Sequence, residues 1–175
     1  MDLMRRILIV GSGGAGKSTM AVEVGERLGL PVVHLDSLFW SEGWIETPKD
    51  AWAEAVAEQV QRDAWVIDGN FNGTLDQRLA AADTVIFLDL PRTLCVARLL
   101  KRRVMYRGRT RPDMASGCPE RLDMDFLKWV WNYPRDNRPR MLERLQAAKP
   151  DQRIILLKTR KQVRNFLDTL TPQPF

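Results

Sequence analysis

The chain has 175 residues, an ordinary hydrophobic content of 45% and a formal charge of +5, long enough to bury a real core in one domain spanning residues 1–175. No apolar run approaches the ~20 residues of a membrane span, and the first apolar run is too short for a signal peptide. Cys95 and Cys118 are the only cysteines and His34 the only histidine, which argues against a disulfide framework, a zinc site and a histidine-centred triad, and makes a reducing cytoplasm the expected compartment.

The first predicted element is a short strand, residues 6–10, rich in β-branched side chains. It runs into Gly11-Ser12-Gly13-Gly14-Ala15-Gly16-Lys17-Ser18-Thr19, which has the spacing G-x-x-x-x-G-K-S. A loop that wraps a phosphate with its own N–H groups has no room for a Cβ at its left-handed positions or beside the anion, hence the glycines. Met20, Val24 and Leu28 then recur at helical spacing, and Gly29 with Pro31 supplies a stop. The N-terminus of that helix points its dipole and free N–H groups at the same anion. Lys17 is placed to reach the β- and γ-phosphates and the Ser18 hydroxyl to ligate Mg²⁺. Strand, loop and helix in this order predict a nucleoside triphosphate site formed by Gly11, Gly13, Gly14, Ala15, Gly16, Lys17, Ser18 and Thr19.

Four more apolar runs read as strands: residues 32–35, 64–67, 84–88 and 153–157. Helical patterns cover residues 48–62 (with Thr47 as cap), 74–81, 91–105, 124–131, 138–147 and 161–170. Nearly all-apolar strands alternating with helices predict an α/β fold, a P-loop NTPase domain with a five-stranded parallel sheet covered on both faces. Ligands in such sheets bind beyond the carboxyl ends of the strands. Three aspartates fall there. Asp68, next to Gly69, reads as a metal ligand beside Ser18. Asp89, just before Pro91, reads as a helix cap. Asp36 reads equally as a catalytic carboxylate or as a turn residue. His34 either packs beside its strand or hydrogen-bonds near the site. Phe39, Trp40 and Trp44 either wall an acceptor pocket or form core under a loop.

The positive charge is localised. Residues 98–144 hold 13 of the 27 Lys and Arg against 6 of the 22 Asp and Glu, a local +7, so the rest of the chain carries −2. That distribution argues for a phosphate clamp beside the triphosphate site and against a general nucleic-acid surface. Arg98 and Arg102 share a helix face, with Leu99, Leu100 and Val104 expected on the buried side. Arg107, Arg109 and Arg111 alternate in "YRGRTRPDM" beside Gly108 and Pro112, the pattern of a lid, about residues 105–125, that closes on phosphate charge. Arg102, Arg107 and Arg111 are its candidate catalytic arginines. Arg135, Arg138 and Arg140 form a second set that would join it.

"GSGGAGKST", "VIDG" and "CVARLLKRR" together resemble the adenylate-kinase and shikimate-kinase group of P-loop kinases. The resemblance implies ATP and Mg²⁺ as cofactors, Arg98 against the adenine and Arg102 on phosphate. Nearly the whole chain, through "HLDSLFW", "DGNF", "ADTVIFLDLPR", "RPDMASGCPER" and "FLKWVWNYP", resembles the adenylate-kinase-related bacterial "DNA topology modulation" proteins, a family name that says little about chemistry. "LDSLFW" is also similar to the D-S-F-Y stretch of uridine kinases, whose aspartate activates a sugar hydroxyl, and this favours Asp36 as a general base. The chain departs from adenylate kinases after its third strand. Their G-F-P-R grips the acceptor's phosphate, whereas Gly69-Asn70-Phe71-Asn72-Gly73 stands here, and Arg62 is the only arginine in residues 31–73. A small-molecule acceptor bearing a hydroxyl is therefore expected. A nucleoside monophosphate acceptor is one alternative, and an ATP-switched nucleic-acid regulator another. The last strand leads into Leu157-Lys158-Thr159-Arg160 with no aspartate to read guanine.

Overall fold

The computed structural model describes residues 4–121 and 123–171. Five strands form one parallel sheet: β1 (Arg6–Gly11), β2 (Val32–His34), β5 (Trp65–Asp68), β6 (Thr84–Leu88) and β7 (Arg153–Leu157), in the order β2-β5-β1-β6-β7. The α/β fold with its five-stranded sheet is thus as the alternation of apolar runs and helices implies. β1, β5 and β6 lie inside the sheet, and every residue of β5 and β6 is buried. Such strands carry no wet face, which is why they read as unbroken apolar runs.

The strand period of two divides these residues between two cores. Ile7, Ile9, Val66, Ile86 and Leu88 pack on one side with α1 (Lys17–Leu28), α5 (Arg92–Met105) and α8 (Arg160–Asp168). Leu8, Val10, Ile67, Val85 and Phe87 pack on the other with α3 (Lys49–Val60), α4 (Asn72–Ala81) and α7 (Arg138–Gln146). α6 (Met124–Asp136) reaches both, sending Val130 into the first and Tyr133 into the second. Burial of this many apolar side chains at about 25 cal/mol per Å² is the dominant stabilising term.

Several boundaries differ from the sequence reading for local reasons. β2 stops at His34, and Leu35 and Asp36 open a short helix, α2 (Leu35–Phe39), followed by an antiparallel hairpin, β3 (Trp40–Ser41) and β4 (Ile45–Glu46). Thr47 does not cap α3. Its hydroxyl donates to the carbonyls of Phe39 and Leu38, closing the hairpin, and Pro48 takes the cap position. On α5 the buried face is Cys95 and Leu99, while Leu100 and Val104 are exposed. α6 continues past Trp131 to Asp136, with its start fixed by Asp123, whose carboxylate accepts from the N–H groups of Asp125 and Phe126. Among the described residues no helix is long and apolar enough to cross a membrane.

Candidate active site

The register of the sheet gathers the strand ends. Ile9 pairs with Asp68, and Asp68 with His34, so the glycine loop, Asp68 and the start of α2 border one cleft of roughly 1330 Å³. Pockets that hold a single small ligand run to ~300–1000 Å³, so the cleft has room for a nucleotide and a second molecule. Gly13, Gly14, Ala15, Gly16, Lys17, Ser18 and Thr19 line it, while Gly11 sits just behind, at the end of β1. Gly14 and Gly16 take left-handed φ values of 73° and 95°, as such a loop requires. A second reason for the glycines comes from packing. A Cβ on Gly14 would meet the Cys95 carbonyl oxygen at 2.3 Å, and one on Gly13 the Phe126 ring at 2.5 Å. The loop is pressed onto α5 and α6 from behind.

The first turn of α1 holds no acidic residue and its cap makes no side-chain hydrogen bond, so its N–H groups face the cleft without an internal competitor for an anion. Lys17 Nζ donates to the Ser12 carbonyl at 3.0 Å. Burial pushes the Lys17 ammonium below its ordinary pKa, opposed by Asp36 and Asp68. Arg98, from α5, donates to the Ala15 carbonyl at 2.9 Å and so borders the nucleotide loop, beside Arg160 of α8 in the same cleft. These residues fit a triphosphate.

Ser18 Oγ donates to Asp68 Oδ2 at 2.7 Å, and Asp68 Oδ1 lies 2.7 Å from His34 Nδ1. Asp68 is buried at 4% exposure, and its hydrogen bond raises the pKa of His34, against the pull of burial. His34 therefore does more than pack. It anchors the carboxylate that reaches Ser18. Among the described residues no group of three or more His, Cys, Asp or Glu is placed to hold a metal. One hydroxyl and one carboxylate nevertheless form the small hard-oxygen set that fits Mg²⁺, an ion that takes its remaining ligands from phosphates and water.

Asp36 lines the cleft from α2. Burial holds its carboxyl above the usual carboxylate range, with Lys17 and then Arg111 pulling the other way. Of the three aromatics, Trp40 and Trp44 line the cleft, whereas Phe39 packs on Trp52 and Phe71 with ring centroids 5.1 and 4.8 Å apart. Arg78 is fully buried and donates to the carbonyls of Thr74, Gly69, Asn70 and Phe71. Desolvation pushes its pKa down to about 9, opposed by Asp68. The guanidinium thus supports the strand-end loop from behind and does not line the cleft.

The predicted arginines divide. Arg102 and Arg111 line the cleft, and Arg107 does not; it is exposed, as is Arg109. Glu120, buried at 7% exposure, gathers the first two. Arg102 Nε donates to its Oε1 at 2.9 Å, and Arg111 Nε lies 2.8 Å from its Oε2. Arg111 also donates to Asp113 at 2.9 Å. Burial lowers the Arg102 pKa, with Arg111 adding to the effect and Glu120 opposing it. The loop is folded back on itself through backbone bridges Arg107–Glu120 and Thr110–Pro119. Glu120 is one of the few acids in the basic segment, which was its only sequence signal. The second arginine set does not join the loop. Arg135 pairs with Asp136 on the surface, Arg140 is exposed, and Arg138 holds Asp89 through contacts of 2.8, 3.0 and 2.8 Å. Asp89 is accordingly an ion-pair partner and not the cap of α5, a position taken by Pro91.

Sheet order, glycine loop and cleft define a P-loop kinase fold. The chain is similar in structure to shikimate kinase from Acinetobacter baumannii in complex with shikimate, at 17% identity over 94% of this chain and 89% of that one, with a TM-score of 0.59. It is likewise similar to a gluconokinase from Sinorhizobium meliloti 1021, at 18% identity over 97% and 93%, with a TM-score of 0.54. No protein-family model matches the chain, and no curated protein matches it in sequence. At such identities the likeness is one of fold.

Proposed function

We propose that the protein is a cytoplasmic, ATP-dependent kinase that transfers the γ-phosphate to a hydroxyl of a small-molecule acceptor, with Asp36 as general base. The observation that carries this reading is the contrast across residues 31–73. A half-buried carboxylate, Asp36, faces the cleft, while the buried guanidinium that follows this segment, Arg78, is turned onto the carbonyls of residues 69–71 and 74. An acceptor phosphate is already an anion and needs cations, not a base. A hydroxyl has a proton to lose, and a neighbouring carboxylate takes it.

In the proposed step the acceptor oxygen bonds to the γ-phosphorus as its proton passes to Asp36, and the bond to the β–γ bridging oxygen breaks to leave ADP. Lys17 and the N–H groups of Gly13 to Thr19 hold the phosphates. Arg102 and Arg111 supply positive charge where the transferred group is most negative. Arg98 borders the adenine end. Ser18 and Asp68 would hold Mg²⁺, which when bound offsets charge on the β- and γ-oxygens. The free, buried thiols of Cys95 and Cys118 fit a reducing compartment. The resemblance to "DNA topology modulation" proteins names no acceptor, and with Arg102 and Arg111 facing the cleft, duplex DNA is expected to bind weakly and to compete with ATP.

The test is ADP release from Mg-ATP with a panel of nucleosides, nucleoside monophosphates, sugars and hydroxy acids. A hydroxyl compound as best acceptor supports the reading. A monophosphate as best acceptor replaces it with an adenylate-type kinase. Tight, sequence-selective DNA binding that ignores ATP replaces it with a regulator.

A further inference from the structure

The hairpin β3–β4 and the arginine loop are joined. The Gly43 N–H donates to the Gly117 carbonyl at 3.0 Å, and Cys118 Sγ donates to the Ser41 carbonyl at 3.2 Å. Arg121 lies over the Trp44 ring, 4.3 Å from its centroid. A Cβ on Gly117 would meet the Glu42 side chain at 2.3 Å, so the two segments touch without a gap. Together they border the cleft, where Asp36, Trp40, Trp44 and Asp113 all line the wall.

Two non-glycine residues among those described have positive φ, and both are aromatic residues that line the cleft: Trp44 at 62° and Phe71 at 28°. A bulky side chain in that region is disfavoured relative to glycine, and the hairpin would form more readily with glycine or asparagine at position 44. Residues kept in such conformations cluster at binding sites. Trp44 is held there by Arg121 over its ring and by Trp40, whose ring meets it at 70° with centroids 5.4 Å apart. The steep angle matters. Two rings so inclined make a corner and not the parallel-sided slot that a flat base would fill.

The polar groups of the corner choose among hydroxyl compounds. Asp36 and Asp113 are carboxylates, which accept from hydroxyls and have two oxygens each. Asp113 gives one oxygen to Arg111 and has the other left. Asp36, Asp68 and Asp113 stand on the wall against Lys17 and an Arg111 already paired to Glu120 and Asp113, and Arg121, the further cation of the corner, is laid over the Trp44 ring, so the carboxylates outweigh the cations left to meet a further anion. We infer that the corner of Trp40 and Trp44, closed by the arginine loop, is an acceptor subsite for a neutral polyhydroxylated ring, its C–H face on Trp44 and its hydroxyls on Asp36 and Asp113. This rests on the kinase reading and names its acceptor class. The ring is a free sugar or cyclitol, or the ribose of a nucleoside, since both present the same chemistry.

The experiment follows ADP release with Mg-ATP and D-glucose, D-ribose, myo-inositol, adenosine, gluconate, AMP or L-serine. Binding of each is measured by calorimetry, for wild type and for Trp44→Ala, Trp44→Phe and Trp44→Gly. The expected best acceptor is a neutral ring, at least tenfold above gluconate, AMP and serine in kcat/KM. Whether a free ring or adenosine leads identifies the source. Trp44→Ala and Trp44→Gly are expected to raise the acceptor KM at least tenfold with the ATP KM within twofold, and Trp44→Phe to retain most of the affinity. Trp44→Gly is expected to melt no lower than wild type, which a merely structural tryptophan would not allow. Gluconate, AMP or serine as best acceptor, or an acceptor KM unmoved by Trp44→Ala, overturns the subsite. Transfer to serine overturns it while leaving the kinase standing. If no acceptor releases ADP the kinase reading fails instead, and calorimetric binding of a neutral ring to wild type but not to Trp44→Ala then decides the subsite alone.

Discussion

One buried carboxylate, Glu120, holds both Arg102 and Arg111: Arg102 Nε donates to one of its oxygens at 2.9 Å, and Arg111 Nε stands 2.8 Å from the other. The Arg111 contact is an ion pair whose N–H is not aligned with the oxygen. Glu120 thus offsets the charge that, on the proposed reading, a γ-phosphate would engage. Glu120→Gln keeps the shape and removes the negative charge. Losing one member of a buried pair is strongly destabilising, and with Arg102 partly exposed the expected loss is about 1–3 kcal/mol, read as a lower melting temperature of the nucleotide-free protein. ATP should then raise the melting temperature by more in Glu120→Gln than in wild type, because phosphate replaces the missing partner. An equal ATP-induced shift in the two proteins would show that Glu120 does not compete with the nucleotide.

Arg78 makes a different prediction. Its guanidinium donates to four backbone carbonyls, and among the described residues no carboxylate pairs with it. Arg78→Met retains the aliphatic stem and removes the side-chain donors to Gly69 and Asn70, while the Phe71 carbonyl keeps the N–H and hydroxyl of Thr74; the cost is about 1–3 kcal/mol for each oxygen left unpaired that water cannot reach. We expect urea unfolding to show a loss of about 3 kcal/mol or more, together with a rise in the acceptor KM as residues 69–71 shift. Arg78→Lys should recover only part, since an ammonium cannot span the carbonyls that the planar fork reaches. A stable Arg78→Met protein would place the support of this loop elsewhere.

The contrast between these residues and the glycine loop explains what could be read in advance. The loop, its strand and its helix are contiguous, so local spacing carries the whole geometry, and Lys17 and Ser18 fall where the spacing puts them. Asp68 was legible as a strand-end acid beside glycine, though its bonds to Ser18 and His34 depend on register across three strands. The place of Arg78 could not be read, because a surface-like arginine in a helical pattern looks the same whether it faces water or four carbonyls. Arg107 was misplaced for the same reason in reverse. The fold-back of the loop through the Arg107–Glu120 and Thr110–Pro119 bridges decides which alternate arginines face inward, and no local pattern encodes that pairing. Leu100 and Val104 are apolar yet exposed on α5, where Cys95 and Leu99 are buried and Arg98 and Arg102 half-buried, so periodicity chose the wrong face.

Lys17 tests the donor half of the cleft independently of the acceptor. Its ammonium lies between the Ser12 carbonyl and the field of Asp36 and Asp68, and among the described residues it has no ion pair to lose. Lys17→Ala should therefore fold and melt near wild type while abolishing phosphoryl transfer with every acceptor. Full turnover in a folded Lys17→Ala protein would sink the assignment of the loop.

Asp36 gives the sharpest test, because its chemistry and its cost to folding point in opposite directions. Burial raises its pKa above the usual range in the folded protein, against Lys17 and Arg111. A base must be ionised, so kcat/KM should fall with decreasing pH through that raised value, earlier than the ~3.9 of an ordinary aspartate would give. Asp36→Asn should lower kcat by about a hundred- to ten-thousand-fold, the usual worth of general-base assistance, leave the ATP KM little changed and abolish this acid limb. The same shift means that the unfolded chain releases the Asp36 proton more readily than the folded one. Ionisation therefore opposes folding at neutral pH, and the opposition fades as pH falls through the folded value towards the unfolded one. Asp36→Asn should accordingly melt higher than wild type at pH 7 to 8, with the difference closing on the acid side of ~4. A variant that is slower yet more stable identifies a carboxylate kept for chemistry. If AMP or another monophosphate proves the best acceptor and Asp36→Asn barely slows its use, the phosphate does not go to a hydroxyl and Asp36 is not its base.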